Sequence, residues 1–278
     1  MGYRIAGFNE INGLEFCYGE RLVTSVARTL HVSWEILVCS AGTAELITND
    51  GEIILAAKTM VVIPPYTAHS IRNLVDYSFC ALRLEDDLTT ALLGKQLAPP
   101  AVPVVKPSDE ALVWRWLCKQ LLLDQPAAIY ESALVGALRT ILEPLRKNVP
   151  PRVPLPDRIA RMRAQLEHRL NQDVSLAELG DHVELSRFHA ARLFKADMGV
   201  SPHEYQLLLR IARAKRLLLE GQTATHVAAQ VGFSDQSHLH RYFKRYVHVT
   251  PGEYRRWMTT DSKKIQAEIR ECMGSFFL

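Results

Sequence analysis

Residues 175–205 and 223–254 repeat one pattern, and that repeat restricts the second half of the chain more than any other feature. When SLAELGDHVELSRFHAARLFKADMGVSPHEY is laid on TATHVAAQVGFSDQSHLHRYFKRYVHVTPGEY, Val183 meets Val231 and Ser186 meets Ser234. One extra residue enters the second copy. Arg192/Arg241, Phe194/Phe243, Lys195/Lys244, Pro202/Pro251, Glu204/Glu253 and Tyr205/Tyr254 then coincide. Self-similarity at this length means one supersecondary unit used twice. Ser175 and Glu178 form a capping box with Val174 and Leu179 as its staple, and Leu185-Ser186 opens a second helix after a short turn. In the second copy Gly232 supplies the turn and Ser234-Asp235 the next cap. Ser201-Pro202-x-Glu204 and Thr250-Pro251-x-Glu253 each start a further helix with proline at its first position. The spacing predicts two helix-turn-helix units joined by a helix over 202–220, which at about 1.5 Å per residue spans roughly 28 Å. Major-groove faces one DNA turn apart are separated by about 34 Å.

Charge points the same way. The 278 residues carry a net charge of only +3, but residues 157–260 hold 16 basic against 11 acidic side chains, whereas residues 1–147 hold 13 against 16. The basic half is the one suited to a polyanion. Between the halves lies NVPPRVPLPD, whose four prolines stop any helix or central strand. The expected organisation is a domain over 1–147, a linker over 148–156, a helical domain over 157–260 and a tail over 261–278. The start of the chain has no apolar signal region, no apolar run reaches membrane-span length, and Ala6 spoils a myristoylation signal. Cys17, Cys39, Cys80, Cys118 and Cys272 are odd in number and form no C-x-x-C pair, against a disulfide framework or zinc ribbon. A cytoplasmic protein without a membrane partner is expected.

The front half reads as a small β structure followed by two helices. WEILVCS, AGTAELI, EIILAA and TMVVIPP are short β-branched runs, and Asn49-Asp50-Gly51 marks a hairpin between two of them. Residues 109–124 and 129–147 have helical periodicity. In the second, Leu134, Leu138, Ile141 and Leu145 form one apolar stripe. Such a stripe suits a seam between two copies of the chain, so a homodimer is expected through it; packing on its own barrel is the alternative.

Residues 157–258, with GFSDQSHLHRYFKR and the T-P-x-x-Y-R ending, resemble the DNA-binding domain of the AraC/XylS family of bacterial transcription regulators. The resemblance implies double-stranded DNA as partner, and RNA polymerase as well if the protein activates. On the two recognition helices it points to Arg187, Phe188 and Arg192 in the first unit and Gln236, Ser237, His240 and Arg241 in the second. Arg pairs with guanine, Gln with adenine, and an apolar ring meets a thymine methyl. Lys195 and Lys244 suit phosphates. Ala191 departs from the family's usual polar residue, Phe188 has partial burial as its alternative, and Leu193, Phe194 and Phe243 are expected in the core.

The front half resembles the cupins that many regulators of this family carry. Thr29, His31, Glu35 and Gly42 stand at the spacing of the first cupin motif, and Pro64, His69 and Asn73 at that of the second. Metal-binding cupins use two histidines and a glutamate from the first motif and a histidine from the second. Here Thr29 replaces one histidine, and Lys58 and Tyr66 replace glycines. No metal site, cofactor or catalytic residue is therefore expected. The cup is expected to bind an unidentified small-molecule effector through Thr29, His31, Glu35, Tyr66 and His69. A cupin enzyme would need the ligand that Thr29 removes. A DNA-repair methyltransferase would need a reactive cysteine beside zinc ligands, and a pure DNA-bending protein would have no use for the β domain. The fold class that follows is α+β and multidomain: a cupin-like β-barrel with two helices, then an all-α domain of two helix-turn-helix units.

Overall fold

The computed structural model describes residues 2–7, 11, 13–23, 25–94, 103–106, 127–148 and 155–272, with isolated positions between 113 and 123. Eight strands come first: β1 (Gly2–Gly7), β2 (Leu14–Leu22), β3 (Val26–Thr29), β4 (Trp34–Ile47), β5 (Glu52–Ala56), β6 (Met60–Ile63), β7 (His69–Leu84) and β8 (Val104–Lys106). They form one antiparallel sheet in the order β1-β2-β7-β4-β6-β8, with β3 added to β7 and β5 to β4. The long strands β4 and β7 pair from Trp34↔Leu84 to Ile47↔Ser70, with register shifts between Cys39 and Ala44. There the pair bends. Gly42 sits in the bend at φ +73, and a Cβ on it would overlap the Val75 and Asp76 carbonyl oxygens, so only glycine fits. The bend gives β4 two partners, β6 along its first half and β5 along its second. The expected hairpin joins β4 to β5, with the Thr48 N–H donating to the Gly51 carbonyl at 2.9 Å. Among the described residues the pairing is a bent sheet, and no pairing closes it into the expected barrel.

Alternation along the strands gives the sheet two apolar faces. Phe16, Trp34, Ile36, Val38 and Leu82 point to one, where helix α2 (Ala127–Asn148) covers them with Leu134, Leu138 and Ile141, all fully buried. This corrects the expected dimer seam. The stripe packs within its own chain, each leucine contributing about 1.5–3 kcal/mol by leaving water. Helix α1 (Asp86–Leu93) adjoins α2. The expected helix at 109–124 lies mostly outside the described residues, as does the side chain of Leu145.

The second half is helical throughout: α3 (Asp157–His168), α4 (Leu176–His182), α5 (Arg187–Met198), α6 (Pro202–Leu219), α7 (Ala224–Val231), α8 (Gln236–Val247), α9 (Pro251–Met258) and α10 (Ser262–Cys272). Ser175 and Thr250 make complete capping boxes with Glu178 and Glu253, and Ser201 caps α6. The 18 residues of α6 span about 27 Å. Residues 261–272 are no tail. They form α10, which lays Ile265 and Ile269 on the same core as α2 and donates a Gln266 side-chain hydrogen bond to the Gly7 carbonyl at 2.8 Å. A Cβ on Gly7 would overlap the Met258 carbonyl oxygen, so β1 and the end of α9 touch backbone to backbone. The other sheet face, with Cys17, Leu37 and Ala81, shares one core with the helical half. Among the described residues no helix is long and apolar enough to cross a membrane.

Candidate DNA-reading surface and sensing cup

Helices α5 and α8 are the recognition-type helices, and each begins at a side-chain cap. Ser186 accepts the His189 N–H at 3.3 Å and Asp235 the His238 N–H at 2.8 Å. On α5, Arg187, Arg192 and Lys195 are exposed, and Phe188 is 72% exposed, which rules out the core reading of that ring. The Arg187 guanidinium lies 4.7 Å from the Phe188 ring centroid, an apolar-cationic pair facing solvent. Ala191 and Leu193 are half-buried and Phe194 fully buried. On α8, Gln236, Ser237, Arg241 and Lys244 are exposed and His240 is half-buried. Gln236 accepts the Thr225 hydroxyl at 2.8 Å, so α7 orients it. Leu239 and Phe243 hold α8 to the core. Arg245, not singled out from sequence, is exposed one turn beyond Arg241 and widens the basic face; the i,i+4 spacing was the available signal.

The far ends of both helices meet the β domain. Gly199 and His248 occupy the same place in the repeat, each the left-handed C-cap of its helix at φ 74 and 68. The Gly199 carbonyl accepts Arg28 Nε at 2.7 Å, and Asn49 Nδ2 donates to the neighbouring Ala196 carbonyl at 3.4 Å. The His248 ring lies 4.8 Å from that of Tyr3. Between these two grips Glu15 on β2 receives Lys215 Nζ of α6 on both oxygens, at 2.6 and 2.7 Å, and the Tyr254 hydroxyl of α9. Burial alone would raise the Glu15 carboxyl; Lys215 and Arg83 outweigh it and hold the group below its usual range.

Glu15, Arg83 and Glu35 lie side by side in register across β2, β7 and β4. Arg83 Nε donates to Glu35 Oε1 at 3.0 Å. The other oxygen, Oε2, lies 3.5 Å from the Nε2 atoms of both His31 and His69. Glu35 Oε2 and His31 Nε2 are buried and make no hydrogen bond. His69 Nδ1 lies 2.9 Å from the Thr67 carbonyl, which can only accept, so Nδ1 carries the proton and Nε2 a lone pair. Burial pushes both imidazoles below the usual histidine range, for His31 with Arg83 adding to the effect, for His69 against Glu35. Thr29 pairs with His69 in the β3–β7 register and lines, with His31, Leu208, Ile211, Lys215 and Tyr246, a cavity of about 40 Å³ beneath α6 and α8. Four of the five expected effector residues therefore converge. Tyr66 does not join them. Its backbone N–H donates to the His31 carbonyl, but its ring lies 4.4 Å from the Arg163 guanidinium and lines a larger cavity, about 340 Å³, with Asp86, Glu167, Leu209, Arg213 and Arg216. The expectation of no metal rested on Thr29 breaking a four-donor set; three donors that do not need it lie within 4.8 Å of one another.

A family model described as a helix-turn-helix domain matches residues 179–256. An uncharacterized HTH-type transcriptional regulator of Staphylococcus aureus strain COL is 34% identical over 100 residues, 36% of this chain but 13% of that protein. LumQ of Photobacterium leiognathi, a probable transcriptional regulator, is 37% identical over 90 residues, 32% of this chain and 36% of LumQ. The match thus spans about an eighth to a third of these relatives' length. The crystal structure of unsaturated fatty acid bound ToxT from Vibrio cholerae superimposes with a TM-score of 0.54 over 90% of this chain and 97% of ToxT, at 14% identity. What they share at that identity is the fold, a β domain followed by helix-turn-helix units.

Proposed function

We propose, from the membership of this chain in the AraC family of transcription regulators, that it reads an operator with α5 and α8 in successive major grooves and that a small ligand of the front domain governs this binding. The observation that carries the reading is that both recognition helices present exposed first turns while their equivalent C-caps rest on one β domain. A ligand that shifts the β domain shifts both readers together. Arg187, Phe188 and Arg192 on one helix and Gln236, Ser237, His240 and Arg241 on the other suit base edges. Lys195 and Lys244 suit phosphates, which position the protein without specifying sequence. The sensing elements are the small cavity lined by Thr29 and His31, with Glu35 and His69 buried behind them, and the larger cavity beside Tyr66, both of which lie between the two halves. A homodimer on a palindromic operator would use a surface other than the buried stripe of α2, and an activator would also touch RNA polymerase. The relatives and the fold point to regulators and away from the enzyme readings.

The test is binding of the full chain to double-stranded sites selected from a random pool. Specific complexes whose affinity falls steeply with salt, as neutralised phosphates release counterions, are expected. Failure to retain any selected site at low salt would overturn the reading.

A further inference from the structure

We infer that the cavity beside Tyr66 binds a small zwitterion, an α-amino acid with a large apolar side chain, held between arginines of α6 and carboxylates at the start of α1. The ligand class deepens the sensing reading and rests on it only for its regulatory meaning. The cavity measures about 340 Å³, and none of Thr29, His31, Glu35 and His69 lines it. Small-molecule sites begin at about 300 Å³. Val32, Leu170, Leu209 and Ala212 give it apolar walls. Charge enters from two elements. Arg213 and Arg216 come from α6, and Glu85 and Asp87 come from the first turn of α1 and the residue before it. Among the described residues none of these four side chains makes an ion pair or a hydrogen bond. The cavity's other two carboxylates are engaged: Asp86 accepts the Trp34 indole N–H at 3.3 Å, and Glu167 accepts Arg163 Nε at 2.7 Å and the Tyr205 hydroxyl at 2.8 Å.

Two unpaired cations and two unpaired anions around one cavity call for a ligand that carries both signs. Arg213 and Arg216 are exposed neighbours three residues apart on α6, and like charges at that spacing repel until an anion lies between them. A carboxylate suits this place, because guanidinium forks donate to it in pairs. An ammonium is the matching group for Glu85 and Asp87. A ligand with a carboxylate alone would satisfy the arginines but press its apolar body against those two acids, which costs their hydration. A ligand with an ammonium alone would leave the arginines unpaired, and a neutral sugar would answer neither sign. The apolar walls call for an apolar body between the charged ends. One wall is already rigid. The Tyr66 N–H donates to the His31 carbonyl at 2.7 Å, its ring lies 4.4 Å from the Arg163 guanidinium, and Arg163 is held in turn by Glu167, so little ordering remains to be done on binding. Arg213 and Arg216 belong to the helical half and Glu85 and Asp87 to the β domain. The bound zwitterion therefore ties α6 to that domain by its two ends.

The experiment titrates the full chain with L-leucine, L-methionine, L-phenylalanine and L-tryptophan, read by calorimetry and by the shift in melting temperature. At least one of them is expected to bind at one equivalent. For that amino acid, the amine that lacks the carboxylate and the N-acetyl derivative that lacks the ammonium should each bind at least tenfold more weakly. Arg213→Gln and Asp87→Asn change exposed side chains away from the core, and each should weaken binding at least tenfold while circular dichroism stays that of the wild type. No saturable binding by any of the four amino acids would overturn the inference. So would an amine or N-acetyl derivative that binds as well as its parent, or unchanged affinity in either variant. Operator binding by the ligand-free chain is measured alongside. Its survival when no amino acid binds sinks this inference alone, whereas its absence sinks the regulator reading.

Discussion

Replacing Glu15 by Gln, Lys215 by Met, and both together isolates the contact that joins β2 to α6. Lys215 Nζ touches both Glu15 oxygens, and the Tyr254 hydroxyl donates to the same carboxylate. Hydrogen bonds to a charged group contribute about 1.5–3 kcal/mol, and stranding one partner of a fully buried pair costs about 3–5 kcal/mol. Glu15 is 9% exposed in its side chain but Lys215 is 20% exposed, so a stranded lysine recovers part of its hydration. Each single substitution is therefore expected to cost about 2–3 kcal/mol. The double substitution strands no charge, and its cost should fall short of the sum by about 1–2 kcal/mol, the range of directly touching pairs. Urea unfolding of the four proteins, followed by tryptophan fluorescence and by circular dichroism, measures this. The pH dependence has a fixed sign. The folded-state pKa of Glu15 lies below its unfolded value, so its contribution is fully present above about pH 4.5 and is lost as pH falls through the folded value. Wild type and Glu15→Gln should differ most at neutral pH and converge in acid. Additivity within about 0.5 kcal/mol, or a difference that grows on acidification, would refute the reasoning.

Arg192→Ala and Arg241→Ala should each cost about 1–3 kcal/mol of base discrimination at different positions of a selected operator, whereas Lys195→Ala and Lys244→Ala should weaken all sites alike and flatten the salt dependence. Selection with each variant decides, and two arginine variants that relax the same positions would contradict the assignment of one helix to each groove. Gly7→Ala drives a Cβ into the Met258 carbonyl and should destabilise by about 1–3 kcal/mol in denaturant titration, while Gly252→Ala, with open space around its Cβ, should be neutral or gain up to about 1 kcal/mol. Ser175→Ala removes the acceptor for the Glu178 N–H and should cost about 1 kcal/mol, seen as faster amide exchange in α4.

The helical half was legible because its information is local. A cap, a proline and an apolar stripe each act within a few residues, so Ser175, Ser201 and Thr250 announce their helices without reference to anything distant. The hairpin at Asn49-Asp50-Gly51 was readable for the same reason. What sequence left open depends on register and on packing between halves. Whether Leu134, Leu138 and Ile141 meet a second copy or their own sheet is not a property of the helix that carries them. In α10 the charges outnumber the large apolar side chains, Ile265 and Ile269, whose value lies in the sheet beneath and not in the helix that carries them. The motif spacing put Thr29, His31, Glu35, Tyr66 and His69 in one group. The backbone sends the Tyr66 ring the other way, and nothing in the motif records that Arg83 stands opposite Glu35 across the sheet. Glu15, 200 positions from Lys215, carried no sequence signal at all.

The paired grips on Gly199 and His248 also bear on operator phasing. B-DNA turns by roughly 35° for each base pair, so, on the proposed assignment of α5 and α8 to successive grooves, one base pair inserted between their two segments would swing the second segment around the duplex axis. A reader with independently swivelling units would follow it. Here Arg28 and Tyr3 tie both units to a single sheet, and Glu15 ties that sheet to the helix between them. On that assignment the cap contacts would act as a phase lock, and tolerance to spacing would become a property of the β domain, far from any base. Weakening Arg28 or Glu15 should widen the set of spacings bound while leaving the bases read by each helix unchanged.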